Sequence, residues 1–303
     1  MNVNKNEQSY VSLSGKNLIF KSFDWLYYNG HLTAMRPVAI LLTMMLIYGD
    51  RVSIQSLGIA YLITLIVYSY DRVRGLDEDR VTNAQRSEHL SRKRKYYPYL
   101  LSLYLVALAV IVLLYATAEL IVLAMSAMVL VTIGIFYTTS LKSVTKHIPA
   151  FKTILIASEW ATTIVLLYGI FYHSFTSIFT LMFGVFIFFK LFISSVFFDI
   201  KDTESDRQQG LKTIPVLIGY KNTLNLLKLL VIISLLPIVI GVFIFSQPKL
   251  TLLLLPFDII FYMIIRVAES NEGKPLKYYI PAHLEYMLWP LGIMIGTIVI
   301  KVL

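Results

Sequence analysis

Apolar residues run almost unbroken through most of this chain, so its organisation is carried by the interruptions. Nine apolar runs stand out, at 33–49, 52–70, 97–116, 119–137, 153–172, 177–198, 223–245, 250–267 and 281–301. A helix needs roughly 20 apolar residues to cross about 30 Å of hydrocarbon, so each run predicts one transmembrane helix. The links alternate in length. Those at 71–96, 138–152, 199–222 and 268–280 are long, while those around Asp50, Thr117, His173 and Gln247 are very short. This pattern predicts an all-α membrane protein, a bundle of about nine transmembrane helices, with residues 31–303 forming a single polytopic domain. Residues 1–30 are polar and then aromatic through Phe23, Trp25, Tyr27 and Tyr28, which predicts a tail and a segment lying in the membrane interface.

Composition agrees with this reading. Of the 303 residues 57% are hydrophobic and 15% charged, against roughly 25% charged in soluble domains. The net charge of +9 is explained by orientation and anionic headgroups, so nucleic acid is set aside as a partner and membrane lipids are retained. Eighteen Lys or Arg residues lie on or beside the long links, against Arg51, Lys249 and Lys301 on the opposite face. The positive-inside rule therefore makes the N-terminus and long links cytoplasmic, in the cell membrane if the source is prokaryotic. The chain has no cysteine, which excludes disulfides, thiolate metal sites and a cysteine nucleophile. No signal peptide is expected, because the N-terminus lacks a short cleavable apolar segment.

The chemistry gathers on the long links. Asp199, Asp202 and Asp206 follow the sixth run, and on a helix the offsets i, i+3 and i+7 lie within about 60° of one another. Three carboxylates on one face repel unless a cation sits among them. Mg²⁺ suits this arrangement, since it takes a few carboxylates, keeps waters and completes its shell from a phosphate-bearing ligand. The plainer alternative is a solvated helix end balanced by Lys201, Arg207 and Lys212. A second acidic cluster, from Asp71 to Arg80, follows the second run. Asp71, Gly75 and Asp79 share one slowly drifting stripe there. Both clusters end an even-numbered span on the same face.

With these residues the chain resembles the UbiA-type intramembrane prenyltransferases, the 4-hydroxybenzoate polyprenyltransferase-like superfamily, over nearly its whole length. Arg36-Pro37 opens the first span as in that family. Asp199, Asp202 and Asp206-Arg207, followed by Gly210, Lys212-Thr213 and Pro215, match its second aspartate motif. Tyr137 and Lys142, then Lys152 and Trp160, resemble its Tyr–Lys segment, with one residue more between the first two. The first motif departs from Asn-x-x-x-Asp-x-x-x-Asp. With Asp71 central, Val67 and Gly75 replace its outer residues; with Asp71 at the Asn position, Gly75 replaces the centre and Asp79 matches the end.

The resemblance implies a lipid-open cavity capped by the two motif loops. It also implies Mg²⁺-dependent transfer of a prenyl group from a polyprenyl diphosphate to a lipophilic or aromatic acceptor. Asp71, Asp79, Asp199, Asp202 and Asp206 would be the metal-binding and catalytic carboxylates. Arg86, Tyr137, Lys142, Lys152, Arg207 and Lys212 would bind substrate. Two other functions compete. A UbiA-type terpene cyclase would let the cation attack its own chain, and the thin first motif keeps that open. A transporter would explain the charges within spans, but here the carboxylates concentrate at one face and no broken spans are evident.

Glu159, Lys190, Asp258 and Glu285 lie within runs, where ionisable groups are costly and face a cavity or a partner. Lys190 is expected to form an ion pair between helices. Glu159 is expected to recognise the acceptor or take a proton, while His283 and Glu285 read as interfacial.

Overall fold

The computed structural model describes residues 25–76, 84–114, 141–172, 177–270 and 276–302, with scattered positions between 122 and 136. Among the described residues the long elements are all helices: α1 (His31–Tyr48), α2 (Ile54–Arg74), α3 (Ala84–Ser91), α4 (Tyr97–Leu114), α5 (Phe151–Tyr172), α6 (Ile178–Gln208), α7 (Ile214–Ser234), α8 (Leu236–Ile244), α9 (Leu255–Ser270) and α10 (Leu276–Val302). Eight candidate spans lie among the described residues, α7 and α8 together making one. They coincide with eight of the nine expected runs. The remaining run, 119–137, falls largely outside the described residues.

Local chemistry places the helix ends. Gly30 and Gly49 flank α1 at φ 90° and 77°, a left-handed backbone that glycine adopts without a Cβ penalty. Gly30 also needs its missing side chain, since a Cβ there would meet Arg72 Nη1 at 2.7 Å. Ser53 caps α2 by accepting from Ser56 N–H at 3.2 Å. At the other end of α2, Gly75 N–H donates to the Asp71 carbonyl at 2.8 Å.

Packing closes the helices into a ring. α1 packs on α2, α2 on α5, α5 on α6, α6 on α7, α7 on α9, α9 on α10, and α10 returns to α1. α6 also touches α8 and α10, while α4 lies outside against α2. One apolar core joins α1, α2, α5, the first half of α6 and the middle of α10. A second joins the later part of α6 with α7 and α9. Burial in lipid gives helices little hydrophobic drive to associate, so packing and interhelical hydrogen bonds decide the arrangement.

The sequence pattern ends the sixth span at Phe198, but the helix runs on to Gln208. At 1.5 Å per residue its 31 residues reach about 46 Å, well beyond an apolar core of about 30 Å. Its last turns therefore carry Asp199, Asp202 and Asp206 out of the hydrocarbon while remaining helical.

Candidate active site at the end of the long helix

The end of α6 is held by the motif that follows it. Gly210 adopts φ 71° and turns the chain, so Leu211 N–H donates back to the Asp206 carbonyl at 2.9 Å. Lys212 N–H then donates to the Thr145 carbonyl, and Ala150 N–H to the Lys212 carbonyl, each at 2.9 Å. Thr213 stands at the N-cap of α7, with Pro215 in its first turn, where a missing N–H costs nothing. These backbone bonds lace the loop after α6 to the loop before α5. The start of α5 is thereby pressed against the aspartates.

The three aspartates have different surroundings. Asp199 is buried and accepts from Lys152 Nζ at 2.9 Å and from Thr153 Oγ1 at 3.0 Å, both on α5. Asp202 lies one turn on, with Oδ2 3.7 Å from Lys201 Nζ. Its Oδ1 is buried without a hydrogen-bond partner, and so is Oδ2 of the buried Asp206. Asp202 and Asp206 are i and i+4, neighbours on one helix stripe. Unsatisfied buried oxygens are expensive, about 1–3 kcal/mol each and more when charged.

A divalent cation fits these two oxygens. Among the described residues no three His, Asp or Glu side chains form a ready metal cage. Mg²⁺ does not need one, because it is commonly held by one or two carboxylates with waters and substrate phosphates.

The other expected site residues are less uniformly placed. Asp71 is exposed in the last turn of α2. Asp79 and Tyr137 lie outside the described residues, as do the side chains of Arg86 and Lys142. Arg207 turns away, pairing with Glu204 at 2.7 Å on an exposed surface. Lys212 contributes chiefly through its backbone, and its exposed Nζ donates to the His147 carbonyl at 3.4 Å.

Farther along the helices the interior stays polar. Arg36 is buried, donates from Nη2 to Ser194 Oγ at 2.7 Å and stacks 4.6 Å from the Tyr286 ring centre. Sequence reading singled out Arg36 only as the opening of a span; its signal was a charge at the head of an apolar run. Arg72, counted there as an orienting charge, is buried and donates to the carbonyls of Tyr27 and Tyr28 and to Thr33 Oγ1. It therefore ties the segment before α1 to α2.

Tyr68 on α2 stacks on Trp160 of α5 at 5.6 Å. Its phenol lies within electrostatic reach of Arg36, Asp71, Arg72 and Glu159.

Lys190 forms the expected interhelical pair, and in fact two pairs. Its Nζ donates to Asp258 Oδ1 at 2.9 Å and to Glu285 Oε1 at 2.7 Å. Glu285 is thus a core residue and not an interfacial one. His283 stacks on Phe198 at 4.3 Å.

These features can be set against known proteins. A sequence profile of the UbiA prenyltransferase family matches residues 33–289. The chain belongs to the UbiA prenyltransferase family. The UbiA match takes in all but the first two residues of α1 and every carboxylate described above. The solved structures it resembles share the UbiA fold at low sequence identity. A UbiA homologue from Aeropyrum pernix K1, in its apo form, is 12% identical with a TM-score of 0.63, over 89% of this chain and 98% of that one. A UbiA homologue from Archaeoglobus fulgidus bound to GPP and Mg²⁺ is 16% identical with a TM-score of 0.59, over 88% and 98%. The same source's homologue bound to DMAPP and Mg²⁺ is 18% identical with a TM-score of 0.56, over 91% and 99%. Compared one by one with curated proteins, the sequence matches none.

Proposed function

We propose that this UbiA-family protein transfers a prenyl group from a polyprenyl diphosphate to a lipophilic or aromatic acceptor within the membrane, with Mg²⁺ as its metal. The observation that carries this reading is the pair of orphaned carboxylate oxygens on Asp202 and Asp206, beside the Lys152–Asp199 pair. The UbiA homologue structures bound to GPP or DMAPP with Mg²⁺ support it.

Asp202 and Asp206 would hold the cation, with Asp71 on α2 and Asp79 as the opposing carboxylates. When bound, Mg²⁺ neutralises the departing diphosphate and so favours ionisation of the allylic C–O bond. Lys152 and Thr153 keep Asp199 in one orientation and place an ammonium at the rim of the site. Lys142, Arg86 and Tyr137 are further candidate substrate contacts; Arg207 and Lys212 are the weaker ones, given where their side chains lie. The stacked Tyr68–Trp160 pair offers an aromatic face that would shelter an allylic cation from water.

Diphosphate release from geranylgeranyl diphosphate by the purified protein in detergent should require added Mg²⁺ and stop with EDTA. Transport of the substrate across vesicles unchanged, with no diphosphate formed, would overturn the enzyme reading. A terpene cyclase is the second reading, motivated by Gly75 standing where the family's first motif has a carboxylate. Acceptor-free conversion of the labelled substrate to a cyclic hydrocarbon would select it.

The proposed orientation puts the N-terminus and long links in the cytoplasm, around one polytopic domain of residues 31–303. Single Ser91→Cys and Ser205→Cys proteins should then be labelled only from the cytoplasmic side, and Ser246→Cys only from outside. Labelling of positions 91 and 246 from the same side would refute it.

A further inference from the structure

Outside the proposed cation site of Asp202 and Asp206, Glu159 stands apart from the other acidic groups buried in the helices. Asp199, Asp258 and Glu285 each meet a lysine. Glu159 is 9% exposed, and its carboxylate has no hydrogen-bond or ion-pair partner among the described residues. Beyond the helix's own backbone bonds, Thr163 Oγ1 donates to the Glu159 carbonyl at 2.7 Å, which leaves the carboxylate untouched. An unpaired carboxylate so far inside costs several kcal/mol relative to water. Packing alone would be better served by an apolar or amide side chain there. Ionisable groups kept inside a membrane bundle against this cost face a functional cavity or a partner.

Its position suggests which partner. Glu159 is seven residues from Lys152 on α5, about 10 Å farther into the membrane from the aspartates. Ser194, bound by Arg36, lies five residues from Asp199 on the antiparallel α6, about 7.5 Å in the same direction. The Tyr68–Trp160 stack lies alongside, with Glu159 next to Trp160 in the chain. The carboxylate therefore sits below the proposed diphosphate site, on the side from which an acceptor dissolved in the bilayer would approach an allylic carbon.

We infer that Glu159 receives the proton of an uncharged, hydroxyl-bearing acceptor as it is prenylated. This rests on the prenyl-transfer reading above. A carboxylate without donors is matched by an O–H group, which donates to it, and it repels an anionic acceptor. In the step, the C1–O bond to diphosphate breaks and its electron pair leaves with the diphosphate. A lone pair of the acceptor oxygen forms the new bond to C1, and the hydroxyl proton passes to the Glu159 carboxylate. The products are a prenyl ether, diphosphate and protonated Glu159, which returns its proton to bulk water between turnovers.

The test uses the full-length protein, Mg²⁺, labelled geranylgeranyl diphosphate, and neutral and acidic lipid fractions of the expressing cells supplied separately. Ether product and diphosphate are counted together. Wild type should form a labelled ether from the neutral fraction. Glu159→Gln should lower ether formed per diphosphate released by about a hundredfold, and Glu159→Asp should recover part of it. The Gln protein should melt at or above the wild-type temperature, because it loses an unpaired buried charge; a residue with a merely structural role would melt lower. Unchanged product yield per diphosphate in Glu159→Gln would overturn this inference alone. So would labelled product from the acidic fraction only, or none from the neutral fraction while diphosphate is released. Absence of Mg²⁺-dependent diphosphate release from wild type would overturn the parent reading with it.

Discussion

Asp202→Asn should lower diphosphate release at saturating Mg²⁺ by at least about a hundredfold, equivalent to roughly 2.7 kcal/mol of barrier. The substitution keeps the shape of the side chain and removes its charge. It does so at a carboxylate whose Oδ1 is buried and unsatisfied, so no donor among the described residues already occupies that oxygen. A cation held there would both bind the diphosphate and promote its departure, so binding and turnover should fall together. Asp206→Asn, whose Oδ2 is likewise orphaned, should behave the same way. Glu204→Gln is the control. Its carboxylate points to solvent and pairs with Arg207, and surface pairs contribute at most about 1 kcal/mol, so activity should stay near wild type. Asp71→Asn reads the register of the first motif. Activity survives if Asp71 stands where the family pattern has Asn, and collapses if it is the central carboxylate. Full activity in a well-folded Asp202→Asn protein would sink the metal-clamp mechanism.

The largest loss of stability is expected from Lys190→Met. The ammonium is 1% exposed and faces Asp258 and Glu285, each also 1% exposed at the side chain. It also lies 4.9 Å from the Phe261 ring centre and 5.7 Å from that of Trp289. Methionine fills similar space but leaves two carboxylates without their counter-charge. Breaking a buried ion pair by removing one partner costs about 3–5 kcal/mol. In a chain of this size that corresponds to a fall in Tm on the order of 10 °C. The observable is thermal unfolding in detergent. Lys190→Met combined with Asp258→Asn and Glu285→Gln should recover most of the loss, because the uncompensated charge is then gone. A Lys190→Met protein that melts at the wild-type temperature would show that the triad is not buried as described.

The legible part of this protein was its one-dimensional chemistry. Spans such as 153–172 and 250–267 show as apolar runs because lipid imposes the same requirement on every stretch that crosses it. Asp199, Asp202 and Asp206 could be placed on one face because helical periodicity is local. Gly210 and Lys212 were visible as residues, but their work was not. Their role in lacing the end of α6 to the start of α5 depends on a loop more than sixty residues earlier. Arg36 read as a family-like span opening, and Arg72 as an orienting charge, until the bundle closed around them. The membership of 119–137 in the bundle rests on its apolar run alone.

The sequence by itself determined that the chain crosses the membrane many times, which face collects its basic and acidic residues, and which carboxylates share a helix stripe. Hydropathy, charge and periodicity are properties of neighbouring residues, and they survive without a fold. Only the tertiary structure decided which of those charges are matched. Asp199 meets Lys152, Glu285 meets Lys190 across 95 residues, and Asp202, Asp206 and Glu159 keep oxygens that no described side chain satisfies. Matching depends on which helix faces meet once the ring of spans has closed. That is set by packing and by hydrogen bonds between helices distant in the chain.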